Sequence, residues 1–166
     1  MTQPVSIPAD GNLRVTYVAT LADPTTPTLA ELNAGTSKDF SCYITGDGFA
    51  TSLDEQVVAD NRLCSRATYE RPGRWQKTMT TTYVHNPASP TNNVMYLTLT
   101  YLVTGFVVAR WGVPYEQPWA EDDLADVYPI QAGKPMKNPP AENAVLTVTQ
   151  KLFITGEAID DAVVAA

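Results

Sequence analysis

Residues 101–113 read YLVTGFVVARWGV, the most apolar run of the chain. Gly105 opens its centre, Phe106, Val107, Val108 and Ala109 follow, and Arg110-Trp111-Gly112 closes it with a charge and a breaker. The run is far shorter than the ~20 apolar residues a membrane helix needs, and its composition favours a buried strand. Later elements are expected to pair with it or pack on it. The stretch by itself names no chemistry.

Strand patterning continues on both sides. Leu13, Val15, Tyr17, Ala19 and Leu21 alternate with Arg14, Thr16 and Thr20, the period of two of a strand with one buried face. Residues 22–27 (ADPTTP) break it, and Thr28 with Glu31 forms a Thr-x-x-Glu capping box that starts a short helix ending before Gly35. Residues 39–44 read as strand, residues 45–48 (TGDG) as a tight turn, and residues 53–59 as a weakly alternating strand. A long connection from Cys64 to Gly73 is expected next, turning at Pro72-Gly73, with Arg62, Arg66, Arg71 and Arg74 on or beside it. Trp75, Met79, Thr81 and Tyr83 share one face of the following strand, and Gln76, Thr78, Thr80 and Thr82 form a polar, uncharged opposite face.

Residues 85–93 (HNPASPTNN) are a loop. Met95, Leu97, Leu99, Tyr101 and Val103 alternate with threonines, which favours a strand over 95–104; a short helix capped by Asn92 is the alternative for 92–104. Leu124, Asp126, Tyr128 and Ile130 belong to a further strand, and the prolines at 135, 139 and 140 exclude a central strand there. In the last strand Leu146, Val148, Leu152 and Ile154 oppose Thr147, Thr149, Lys151 and Thr155. Seven or eight strands with one or two short helices predict a mainly β domain of the sandwich or barrel-like type. Its expected limits are 12–158, with an extended arm at 1–11 and a tail at 159–166.

Net charge of −7 argues against a general nucleic-acid binder, which needs a basic footprint to release counterions. The N-terminus lacks the basic and apolar regions of a signal peptide, so the product is expected to be soluble and to stay where it is made. Cys42 and Cys64 lack metal spacing and read as reduced, partly buried thiols, with one disulfide between them as the alternative. His85, the single histidine, reads as a solvated loop residue, and neither a zinc site nor a Gly-x-Ser-x-Gly elbow accompanies it. Glu121, Asp122, Asp123 and Asp126 offer hard-cation ligands without calcium-loop spacing, and read as a solvated turn. No catalytic residue, metal or cofactor is expected. The arginines at 62, 66, 71 and 74 read as loop charges or as contacts with an acidic patch on another copy.

The order of several segments carries a resemblance. Residues 28–36 (TLAELNAGT) precede Tyr43-Ile44-Thr45 and its turn; then come residues 105–112 (GFVVARWG), 126–133 (DVYPIQAG) and 152–157 (LFITGE). Over roughly residues 13–166 this resembles the major tail protein, or tail tube protein, of long-tailed bacteriophages, especially those of actinobacteria. The resemblance implies a β-sandwich with a flanking helix, sixfold rings stacked into a hollow tube that conducts DNA, and a long loop and terminal arm that bridge rings. It further implies no enzymatic activity, a place in the virion tail after assembly in the host cytoplasm, and the tape measure, tail tip and tail terminator proteins as partners.

Against that background Gln76, Thr78, Thr80 and Thr82 are expected to line the lumen, with DNA only as passing cargo. Arg62, Arg66, Arg71, Arg74, Arg110 and Trp111 are expected at contacts between subunits, with Arg110 and Trp111 alternatively holding the sandwich itself together. Two alternatives stand beside this one. A ligand- or carbohydrate-binding β-sandwich would need a platform built from Trp75, Trp111, Trp119 and Tyr115. A tube subunit of a related bacterial secretion or contractile apparatus would share the assembly logic.

Overall fold

The computed structural model describes residues 3–166. Its strands are β1 (Leu13–Val18), β2 (Lys38–Asp39), β3 (Ile44–Asp60), β4 (Tyr69–Val84), β5 (Thr104–Trp111), β6 (Leu124–Ala132), β7 (Met136–Lys137), β8 (Thr147–Ile154) and β9 (Ile159–Val163). Two short helices, α1 (Leu29–Leu32) and α2 (Val94–Thr98), complete the set, with a 3-10 turn at Pro90–Asn92 before α2.

All paired strands are antiparallel, in one sheet of order β2-β1-β5-β6-β8-β4-β3, with β7 on β8 and β9 on β6. The expected mainly β, barrel-like fold is realised by curling this single sheet. Val15 and Tyr17 of β1 share one core with Met79 and Tyr83 of β4, although three strands separate them in the sheet. Met95 and Leu99, from α2 and its end, plug that core. The opposite face of β1, β5 and β6 carries a second core in which Val18, Val108 and Val127 meet Leu32 of α1, Trp119 and Val164. The 105–113 run is therefore buried on both sides, which explains why it alternates so little: Val107 and Ala109 face one core and Val108 the other.

The capping box forms as the spacing predicts. Thr28 Oγ1 accepts from the Glu31 N–H, and Glu31 accepts from the Thr28 N–H. Glu31 also accepts from the Ala22 N–H at 2.7 Å, tying the helix to the loop after β1.

Five expectations change. The 45–48 segment is no tight turn; it is an irregularity inside β3, where the register shifts between Ile44 and Phe49. A Cβ at Gly48 would lie 2.1 Å from the Thr82 carbonyl oxygen, so only glycine fits the pinch. Pro72-Gly73 is no turn either: it lies within β4, and the chain reverses over residues 61–68. There Gly73 is required by the Gln56 carbonyl, 2.8 Å from where its Cβ would stand. The strand expected from 95 is helix α2, preceded by Asn93, whose side chain accepts from the Asn86 N–H and donates to the carbonyls of Asn86, Ser89 and Pro90. The segment from 159 is no separate tail: β9 pairs with β6, and Val164 is fully buried. Finally, both cysteines are exposed.

Candidate assembly surfaces

The longest strands make the molecule's largest unpartnered feature. Met79 to Val84 of β4 pair with β8, but Tyr69 to Thr78 have only β3 beside them. Lys77 still reaches Asp160 of the body, so at 3.3 Å per residue the two-stranded arm from Tyr69 to Arg74 projects about 20 Å beyond it. A hairpin of this kind is marginal in water unless it packs against something. Its residues are almost all exposed, and the apolar ones are not spared: Leu53, Val57, Val58 and Trp75 each show half or more of their surface. Leu63 at the tip is fully exposed.

Arg62, Arg66 and Arg71 lie at or near the distal end of this arm, and Arg74 lies farther in along β4. Arg62 and Arg71 both reach Asp60, at 3.3 and 3.4 Å, while Arg66 and Arg74 form no ion pair among the described residues. Residues 57–74 hold these four arginines against Asp60 and Glu70, a net of +2; the chain totals −7, so the remainder carries −9. Surface ion pairs of this geometry add little stability, so the cluster is a charge feature of the tip and not a brace.

Along the other face of the same strands lies a polar surface. Gln76 is exposed and Thr78, Thr80 and Thr82 are part-exposed, while Met79, Thr81 and Tyr83 between them point into the core. Ser52 Oγ and Thr78 Oγ1 are 2.7 Å apart, and Thr82 Oγ1 lies 3.0 Å from Thr149 Oγ1. Asn138 Nδ2 donates to Thr147 Oγ1 and Thr149 Oγ1. The threonine face is thus extended by Ser52, Thr147 and Thr149 into a hydroxyl and amide surface over three strands, with the exposed Lys151 opposite Thr80 on the same face.

Arg110 and Trp111, expected at contacts between subunits, part company. Arg110 is 1 % exposed. Its guanidinium donates to Asp123 Oδ2 at 2.7 Å and to the carbonyls of Pro114, Gln117 and Pro118, and lies over the Trp119 ring. That arginine is spent inside the subunit. Trp111 remains half-exposed, against Phe49, with its indole N–H on Asp126 at 2.8 Å. Nor do the four proposed platform aromatics share a surface. Trp119 is buried on Thr16, Trp75 stands on the arm, and only Trp111 and Tyr115 line a common groove. The acidic 121–126 set is used structurally: Asp123 holds Arg110 and the Ala120 N–H, and Asp126 accepts from Trp111, Tyr128 and the Asp161 N–H. Among the described residues no cluster of three metal-ligating side chains forms.

Burial raises the phenols of Tyr17, Tyr83 and Tyr128 above their ordinary value. For Tyr83 the reason is visible. Its hydroxyl donates to Gln150 Oε1 at 2.9 Å, and Gln150 Nε2 donates to the carbonyls of Leu99 and Gly133. Gln150 was invisible to sequence reading as a core residue, being a polar side chain in an otherwise apolar face; its strict place between Val148 and Leu152 in the period of two was the one signal. The Lys77–Asp160 pair at 2.6 Å was equally out of reach, since the two lie on strands 83 residues apart.

A family model described as phage tail tube protein matches residues 1–166. The chain belongs to the phage tail tube protein family. No curated protein matches it by sequence search. Among solved structures, the tail tube protein is similar to a chain in the cryo-EM structure of the anti-feeding prophage baseplate, 6-fold symmetrised. The two share 11% identity over 96% of this chain and 98% of that chain, with a TM-score of 0.55, a likeness of fold. The tail tube protein is thus a structural component of the virion tail, and the arm and polar face are surfaces of a tail subunit.

Proposed function

We propose that the tail tube protein closes into hexameric rings that stack into a hollow tube through which DNA passes into the host. The observation that carries this reading is the projecting β3–β4 arm, which exposes apolar side chains and a basic tip on an otherwise acidic chain. A lone hairpin with that surface gains stability by packing on another copy. The arm bridges neighbouring subunits, through Arg62, Arg66, Arg71 and Arg74 along its outer part, and the 3–11 arm and Trp111 add contacts. Its part is mechanical, with no catalytic residue and no cofactor. Its partners are further copies of itself, the tape measure, tail tip and tail terminator proteins, and it assembles in the host cytoplasm.

The Gln76, Thr78, Thr80 and Thr82 face lines the lumen. Hydroxyls and amides are wetted readily, and Lys151 opposite Thr80 is an isolated cation rather than the basic footprint that holds phosphates, so DNA slides without binding. Negative-stain microscopy of the purified protein tests the assembly: hollow rings or tubes are expected. A protein that stays monomeric at high concentration, even beside other tail proteins, overturns it. Labelling Thr80→Cys with maleimide nanogold, in a chain whose own cysteines are replaced by serine, places the face: gold on the tube axis is expected, and gold on the outer wall refutes the lumen assignment.

A further inference from the structure

A groove of about 560 Å³ opens where the curled sheet fails to close, between the 7–12 segment, β1 and the start of β3. Its floor is apolar: Ile7, Leu13, Phe49 and the half-exposed Trp111 line it. Cys42 and Tyr115 both stand in its lining. Carboxylates stand at its edge. Asp10 lines the groove, Glu116 follows Tyr115 of the lining, and Asp39 is held beside Tyr115 through Arg14. The one arginine beside it, Arg14, is occupied: it pairs with Asp39 at 3.2 Å and donates to the carbonyls of Tyr115 and Gln117.

The arm tip is the complement of that site. Residues 61–66 read NRLCSR, an exposed Leu63 and an exposed Cys64 between Arg62 and Arg66. An apolar knob flanked by guanidinium groups matches an apolar groove rimmed by carboxylates. We infer that this groove is the receptor for the arm tip of a second copy, with Leu63 seated on Phe49 and Trp111, and Arg62 and Arg66 facing Asp10 and Glu116. The inference rests on the tube reading and adds the address of the contact. A chain cannot fill its own groove: Cys42 precedes β3 and Cys64 follows it, and β3 is about 50 Å of extended strand. Knob and groove occupy different parts of one subunit, so the contact is head-to-tail and propagates into a closed ring or an open stack.

The native cysteines report on the contact directly. Docking brings Cys64 of one copy to the mouth that holds Cys42 of the next, and each chain then has two cross-link partners. Assembled full-length protein is treated with copper-phenanthroline, or in parallel with a short bis-maleimide, and run on denaturing gels, without reductant for the disulfide. A ladder extending past the dimer is expected, and its loss in both Cys42→Ser and Cys64→Ser. Particles that give only dimers, or a ladder that survives either serine variant, overturn the docking and leave the tube reading standing. Absence of any particle overturns both. As an independent arm, Leu63→Asp and Arg62→Glu with Arg66→Glu are each expected to raise the concentration needed for assembly at least tenfold while the circular dichroism of the monomer stays unchanged. Assembly of both variants at the wild-type concentration also refutes the docking.

Discussion

Arg110 shows how a residue at the end of an apolar run can be structural through its charge. Its guanidinium satisfies a carboxylate and three carbonyls of the 114–123 loop, which Arg14, the buried Trp119 and backbone bonds to Gly11 and Val164 also hold. Only Nε is left without an acceptor. Arg110→Ala leaves the Asp123 carboxylate facing an unfilled space and is expected to cost about 3–5 kcal/mol, read as a lower urea midpoint. Arg110→Lys should recover little of it, because one ammonium cannot span four acceptors set in a fork. Glu31 gives the pH dependence at the same scale. Hydrogen bonds from the Ala22 N–H, then from Thr28, hold its carboxyl below the ordinary glutamate value. A lowered folded-state pKa means that its stabilisation is complete above the ordinary value and is lost as pH falls through the depressed one. A melting series from pH 7 to pH 3 should therefore show a steeper acid loss in wild type than in Glu31→Gln. Equal slopes would remove this role.

The arm and α2 show what governs whole elements. Because residues 55–75 bury almost nothing against the body, replacing them with Asn-Gly, a turn suited to a two-residue hairpin, should leave a folded monomer. Its thermal midpoint should stay near wild type while rings and tubes disappear from micrographs. An unfolded product would show that the arm supports the subunit itself. Nothing in the sequence of the arm warns that it lacks partners: Leu53, Val57 and Val58 read as an ordinary strand, and exposure depends on where the rest of the sheet stops. The helix was hidden for another reason. Met95 and Leu99 lie on one face at a spacing of four, which a strand and a helix both satisfy. Only Leu97 discriminates, and it is 54% exposed, an apolar residue on the wet side.

At the scale of the whole molecule, charge is divided between a tip of +2 and a remainder of −9. Attraction between unlike parts of successive copies is screened as the Debye length falls from about 10 Å at 0.1 M salt to about 3 Å at 1 M. The onset concentration for assembly, followed by light scattering, should rise across that range. A flat or falling onset would assign assembly to apolar burial alone.

The β class, the capping box at Thr28, the strand at 105–111 and the polar face at 76–82 were all set by local pattern, because periodicity and capping are properties of neighbouring residues. The family likeness was legible too, in the order of segments. Tertiary structure alone decided the rest. It curled one sheet so that β1 and β4 share a core, drew 159–164 into that sheet, buried Arg110 and Gln150, and left both cysteines and the whole arm outside. Each of those outcomes depends on which distant strand arrives beside a residue, and no local pattern records that.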